Sequence, residues 1–477
     1  MDLVLLFEVH QPLRIKPITD IPPGGFEGNP LELFNWDLNK VIFDRIAANV
    51  YVKASKIILE LLRGIEEFKV TYSISGIALE LMRRWAPEAI EILANIAATG
   101  KAEFMAQTYY HSLAWFIDVD EFKEQVVEQA KLVEELLGYK PMAAENTEFI
   151  YNNDVACTLY NMGFKATVTE GVEWVPGFRG ANYVYEAYGC PMRVLTRNYR
   201  LSDDIGFRFS LRTWDQYPLT ADKYASWIAS SQGDVILVAL DYETFGEHHK
   251  PDSGIYEFLR WLPRELLKRG VSFSTVSEAS LKHKPRGVLD VPPWASISWA
   301  DERDLSAWLG NEVQRLSLER LRSLYMYAKA LGGEILRAWR LLSMSDHFYY
   351  QATKTGPAGE VHSYFNPYLS PYKAQLVYHI ALWILAEHVV KVARENYCSF
   401  LDRFKAYDRY CYHVTVEGRV LKACSLRELI ELLRKLPENI VEDHLRKGYV
   451  DRWAREVLLA EDGLEYVKSK CSIDVGS

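Results

Sequence analysis

Residues 235–249 read Val-Ile-Leu-Val-Ala-Leu-Asp241-Tyr242-Glu243-Thr-Phe-Gly246-Glu-His248-His249, an apolar run that breaks into acids and histidines. Such a run is the pattern of a strand buried on both faces. In α/β folds the reacting groups lie just beyond the carboxyl ends of these strands, which makes Asp241 a candidate catalytic carboxylate. The plainer reading is an acidic loop with a helix cap, and the rest of the chain decides between them. Four more polar clusters follow other strand-like runs: His10-Gln11-Pro12, Gln107-Thr-Tyr109-Tyr110-His111, Glu145-Asn-Thr-Glu148 and Glu170-Gly171. Each alone has a structural reading. A histidine beside a proline is commonly a hydrogen-bonded scaffold residue, and Glu145 and Glu148 could cap a helix or face water. Glu103 falls inside its strand, so it is either buried and paired or directed at the mouth. Five clusters at strand ends of one sheet are hard to assign to chance.

Two carboxylates on different strands of one rim suit glycoside hydrolysis, in which one attacks the anomeric carbon while the other protonates the leaving oxygen and then activates water. The acid must hold its proton near neutral pH through burial or a neighbouring negative charge. Glu243, two residues beyond Asp241, is a candidate for that charge. His10, Gln11 and His111 offer partners for sugar hydroxyls.

The elements that would position these groups are legible up to about residue 285. Strands are expected at 3–9, 69–73, 102–107, 142–146, 165–169, 234–240 and 272–275, with helices between most of them, as at 52–67, 86–98 and 119–137. Alternating strands and helices imply a parallel sheet, and seven strand candidates favour an incomplete barrel. Residues 284–293 form a proline-marked linker. Long helical patterns at 315–343 and 372–397 then suggest a bundle, and a strand at 412–416 with helices at 426–436 and 446–457 suggests a small α+β tail. The expected division is a catalytic barrel at 1–285, a helical domain at 286–410 and an accessory segment at 411–477.

The 477 residues are 49% hydrophobic and 25% charged, as in an ordinary soluble globular protein. A net charge of −9 without a basic stripe argues against nucleic acid as a partner. The 29 tyrosines and 13 tryptophans serve cores by default, and they are also the rings that stack on sugar faces. The start carries no basic segment followed by an apolar one, so neither a signal peptide nor a membrane span is expected. The six cysteines show no metal-binding spacing. Four lie near the end, where one disulfide is conceivable, and reduced thiols in a cytoplasmic protein are the simpler expectation.

Five ordered segments closely resemble the motifs of glycoside hydrolase family 57, nearest to its archaeal α-amylase-type members. They are His10-Gln-Pro12, Gly100-Lys-Ala-Glu103-Phe, Glu145-Asn-Thr-Glu148 with Ile150-Tyr-Asn-Asn153, Asp241-Tyr-Glu243-Thr-Phe-Gly-Glu-His248, and Ser345-Asp346-His347-Phe-Tyr-Tyr350. The likeness spans roughly residues 1–400. It implies an incomplete (β/α)7 barrel followed by a helical domain that completes the cleft, and retaining chemistry on α-glucans without a required metal or cofactor. By position, Glu148 matches the nucleophile and Asp241 the general acid/base. His10, Glu103, Glu243 and Asp346 match residues around the scissile bond. Some members carry a second histidine two residues before the one matching His10; here Glu8 stands there. His248 and His249 are not required by that pattern. Residues 174–183, 197–204 and 294–308 look like cleft loops of the same group.

The leading expectation is an α-amylase-like hydrolase of α-1,4-glucans. A 4-α-glucanotransferase or branching enzyme shares the same catalytic pair and differs in whether water or a sugar hydroxyl intercepts the intermediate. A metal-dependent deacetylase using His10, His111 and Asp241 is disfavoured by the absence of a His-x-x-x-His pair. A non-catalytic glucan-binding protein is the remaining class.

Overall fold

The computed structural model describes residues 1–22, 26, 28–300 and 302–471. The chain divides into two compact units, the first made of Met1–Arg14, Asn35–Gln314 and Ser343–Pro371, the second of Ile15–Phe34, Arg315–Leu342 and Tyr372–Ser477.

The first unit is built on β1 (Asp2–Val9), β2 (Val70–Ile74), β3 (Ala102–Met105), β4 (Ala166–Glu170), β5 (Val184–Ala187), β6 (Arg193–Arg197), β7 (Val235–Asp241), β8 (Ser272–Phe273) and β9 (Val288–Leu289). All eight residues of β1 are buried, as its continuous apolar run requires of a central parallel strand. It lies between β7 and β2, with Glu8 level with Asp241 on one side and Ser73 on the other. β2 pairs β3, and the parallel bridges Ala106↔Ala144 and Ala143↔Ala166 carry the sheet on to β4. β4 pairs β6 in parallel, and β6 meets β7 at the single pair Arg197↔Leu237. The strands therefore return on themselves as an incomplete (β/α)7 barrel, with a thin seam between β6 and β7.

Three local expectations change. The strand at 142–146 shortens to the two bridges. The one at 272–275 keeps two residues because Thr275 leaves it to cap the helix Val276–Lys282, its hydroxyl and Glu278 forming a reciprocal capping box. β5 and β6 were not anticipated: Arg193-Val-Leu-Thr-Arg197 has a charge at each end and resembles a loop, yet four of its five residues are buried.

In the second unit the helical pattern at 315–343 breaks at Gly332, whose φ of 69° ends Glu312–Leu331 before Gly333–Leu342 begins. Pro371–Glu395 is long and apolar enough to cross a membrane by length and composition, and half of its most apolar window is buried. Tyr378 on it donates to the Leu342 carbonyl at 2.8 Å, a contact of a core helix. β10 (Tyr412–Val416) and β11 (Arg419–Ala423) form an antiparallel hairpin. Phe400, Leu429, Val450 and Trp453 meet in the core of this unit.

All six cysteines are paired, as Cys157–Cys190, Cys398–Cys471 and Cys411–Cys424, which corrects the expectation of reduced thiols. Partners 33 and 73 residues apart meet only through the fold, so spacing along the chain did not reveal them.

Candidate active site

The carboxyl ends of the barrel strands open into one pocket in the first unit, lined among others by His10, His111, Glu148, Arg197, Asp241 and Asp346. Glu148 stands at its centre. It lies in the left-handed region at φ 62° and ψ 22°, and Phe149 follows at φ 52°. Two consecutive side chains there are a strained arrangement, sustained only where the surroundings over-determine it. The segment 296–299 does so: Tyr151 and Ile297 exchange backbone hydrogen bonds, the Trp299 amide donates to the Glu148 carbonyl at 3.2 Å, and Asn152 reaches Ser296 Oγ at 2.9 Å.

Both carboxylate oxygens of Glu148 are engaged. Ser345 Oγ donates to Oε1 at 2.7 Å, and the Trp299 indole Nε1 donates to Oε2 at 2.7 Å. His111 Nε2 lies 3.4 Å from Oε1. Burial acts against the charge, but the hydrogen bonds and field of His111, together with Ser345, hold Glu148 below the usual carboxylate range. His111 responds in kind: burial disfavours its proton, yet Glu148, Glu8 and Asp346 push it up to about 9.

Asp241, the last residue of β7, is partly accessible in the same pocket and is pushed up to about 7, first by burial and then by the negative charge of Glu148. Glu243 is not the neighbour that holds this proton. Burial first and Asp241 second push Glu243 itself up to about 8, so it is largely neutral at neutral pH. It accepts from the Tyr51 hydroxyl, and Gln11 Nε2 approaches at 3.5 Å.

His10 Nε2 lies 3.0 Å from Asp346 Oδ2, its Nδ1 lies 2.8 Å from Ser75 Oγ, and its ring stacks on His111 with centroids 4.3 Å apart. Burial, then the adjacent His111 charge, holds His10 below its ordinary value. Against burial, His10 and His111 hold Asp346 down to about 2; since His10 disfavours its own proton, His111 is the more durable cation of the two.

The structure thus brings together His10, Gln11, His111, Glu148, Asp241, Glu243 and Asp346. Glu103 is placed elsewhere. It pairs in register with Thr71, which is level with Leu6, two residues below Glu8, and it accepts from the backbone N–H and hydroxyl of Ser277 at the start of Val276–Lys282. It is buried in the barrel beneath the pocket. His249 is structural, its Nε2 within 2.7 Å of the Ile205 carbonyl, whereas His248 lines the pocket.

Several site residues carried no assigned role in the sequence. Arg197 at the end of β6 is buried, with Nη1 on Glu170 at 2.9 Å, Nη2 on Asp203 at 2.7 Å and Nε on the Ala239 carbonyl at 2.7 Å. Trp299 and Ser345 are the donors to Glu148. Their signals were present, as a tryptophan in an expected cleft loop and a serine opening the last motif, but nothing in the sequence tied them to that carboxylate.

Residues 4–292 match the profile of glycosyl hydrolase family 57. A protein of Methanocaldococcus jannaschii described as "Putative alpha-amylase" is 43% identical over 387 residues, covering 78% of this chain and 81% of its own. The GH57 branching enzyme of the hyperthermophilic archaeon Thermococcus kodakaraensis shares the fold with a TM-score of 0.62 at 13% identity, over 93% of this chain and 95% of that one. The 4-α-glucanotransferase of Thermococcus litoralis superposes with a TM-score of 0.51 at 18% identity, over 88% of this chain and 61% of the transferase's length. With a profile match over more than half its length and a relative at this identity, the chain belongs to glycosyl hydrolase family 57.

Proposed function

We propose that the protein is a retaining hydrolase of α-1,4-glucans, α-amylase-like, with Glu148 as nucleophile and Asp241 as general acid/base. The observation that carries this is the divergence of two carboxyl groups in one pocket: Glu148 is held ionised while Asp241 retains its proton up to about 7. Opposed proton affinities of this kind separate an acid from a nucleophile.

In the first step Asp241 gives its proton to the glycosidic oxygen as Glu148 attacks the anomeric carbon. The bond to the leaving sugar breaks and a β-linked glycosyl ester forms. Esterification removes the Glu148 charge, which is the second cause of Asp241's raised pKa, so Asp241 becomes a stable carboxylate as its second role begins. It then takes a proton from water, the water oxygen attacks the anomeric carbon, and Glu148 departs as a carboxylate. Ser345 and Trp299 keep the nucleophile's oxygens oriented throughout, and His10, His111 and Asp346 line the same pocket.

The test is kinetics and product chromatography on a maltooligosaccharide series. Asp241→Ala is expected to lose about 10²-fold to 10⁴-fold in kcat/KM, the range typical of a missing proton-transfer group, and Glu148→Ala, which lacks the nucleophile, at least as much. Maltotriose should give only shorter products. Full activity in both variants refutes the assignment, and longer oligosaccharides would show transfer in place of hydrolysis.

A further inference from the structure

At the floor of the pocket, which Glu8 lines and Glu145 does not, lie two carboxyl groups that the proposed reaction does not use. Glu8 on β1 and Glu145 beyond the 143–144 bridge are 3% and 1% exposed. Glu8 Oε1 accepts from Gln107 Nε2 at 2.6 Å, and Glu145 Oε1 accepts from Ser73 Oγ at 2.6 Å. Gln107 Nε2 also reaches Ser73 Oγ at 2.8 Å. Their other oxygens, Glu8 Oε2 and Glu145 Oε2, are buried without an N–H or O–H partner among the described residues, Gln107 and Ser73 bridge the two carboxyl groups, and burial first, then the Glu145 charge, raises Glu8 well above the usual carboxylate range. Buried polar atoms are seldom left unpaired, and two buried carboxylates side by side do not both ionise. One proton between them resolves both faults at once.

The pair is wired to the site. Gln107 donates through its amide nitrogen to Glu8, and its Oε1 lies 2.9 Å from His111 Nδ1. A carbonyl oxygen can only accept, so His111 carries its hydrogen on Nδ1; an imidazole that also donates from Nε2 toward Glu148 is an imidazolium. Glu8 Oε1 itself lies 3.7 Å from His111 Nδ1. The charged groups facing His111 are Glu8 from β1, Glu148, Asp346, Asp241 across the pocket and the stacked His10 ring.

We propose that Glu8 and Glu145 share one proton as a monoanionic acid pair, and that this pair, directly and through Gln107, positions His111 as an imidazolium against Glu148. The proposal rests on the reading of Glu148 as nucleophile. Its consequence falls in the covalent intermediate. Esterified Glu148 no longer offers a negative charge, and the acid pair and Asp346 remain to keep the imidazolium in place until the carboxylate is released. No proton leaves the pair during the cycle.

Single and double replacements test this. In Glu8→Gln or Glu145→Gln the remaining carboxylate accepts from the new amide, so one negative charge persists without a shared proton. Each single variant should lose one protonated-carboxyl band in infrared spectra at neutral pH, with Asp241→Asn and Glu243→Gln identifying the other bands, and Glu145→Gln, which leaves the Glu8 carboxylate beside His111, should keep the wild-type pH limbs. The double variant removes the charge. It should lose about 10–100-fold in kcat, as outer partners of a reacting group do. In the pH profile of kcat its basic limb should move down as His111 gives up its proton sooner, while the acidic limb, where His111 stays protonated, does not rise. A merely structural role would lower the melting temperature without moving either limb. Persistence of the infrared band in both single variants, or wild-type limbs in the double, overturns the proposal. If the double variant does not fold, the band in the single variants decides. A wild-type enzyme in which Glu148 is not the nucleophile would refute the reading of the reaction, while the infrared result would still stand by itself.

Discussion

Glu148 receives hydrogens from Ser345 and Trp299, whereas no side chain among the described residues donates to Asp241. That difference, with burial common to both, supports the proposed division between nucleophile and acid. It also sets the pH dependence. In the proposed reaction Asp241 carries a proton in the first step, so kcat/KM should fall as pH rises through about 7, and on the acid side it should fall as Glu148 becomes protonated below its depressed value. In Glu148→Gln the second cause of Asp241's shift is gone, so its carboxyl carbon, followed by NMR, should titrate below about 7; an unchanged midpoint would mean that burial alone sets it. At this scale the sequence pointed to the acids that share the pocket and said less about their fields. The spacing of Glu243 to Asp241 suggested a charged neighbour, but spacing does not reveal that the Tyr51 hydroxyl meets Glu243 in a closed pocket and that Glu243 is largely neutral at neutral pH. Glu103 was misplaced for a related reason. A motif places it near the reaction, whereas the register puts it a layer below, under Ser277.

The elements that hold these residues are strands cut short and loops locked by other loops. Beyond β7 the chain turns sharply at Gly246, whose φ is 122°. A Cβ there would stand 2.5 Å from the Tyr256 hydroxyl and 3.0 Å from the Asn49 carbonyl oxygen. Gly246→Ala should therefore cost about 2–4 kcal/mol in urea unfolding, combining a backbone conformation that disfavours a side chain with an overpacked contact. A change under about 0.5 kcal/mol, the range of a neutral surface substitution, would show that the turn relaxes freely. The run that opens β7 was plain in the sequence because six successive apolar residues, bounded by polar ones, suit a short strand covered on both faces. β6 was hidden because Arg197, which looks like a loop charge, is buried at its end by Glu170 and Asp203. Ion pairing of this kind reverses the usual meaning of a charge and leaves no local pattern to detect.

For the whole molecule, the parallel strand and helix alternation revealed the barrel, but pairings between distant residues were beyond reach. The three disulfides are the clearest case, and they carry a measurable consequence. Closing a longer loop removes more freedom from the unfolded chain, so Cys398–Cys471, spanning 73 residues, should stabilise by about 4 kcal/mol against about 3 kcal/mol for Cys411–Cys424, spanning 13. Cys398→Ser should accordingly lower the melting temperature more than Cys411→Ser in calorimetry of the full chain. Identical melting of both variants and the wild type would indicate that these bonds do not form in the protein.

The central claim is that Glu148 forms the covalent bond to the sugar and that Asp241 serves it as acid and base. The most direct measurement is peptide mapping by mass spectrometry after inactivation with a 5-fluoro-α-glucosyl fluoride, which slows release of the intermediate. The account predicts a single glycosyl adduct on Glu148 that is absent in Glu148→Gln. An adduct on another carboxylate, or steady turnover with inversion at the anomeric carbon and no adduct, would contradict it.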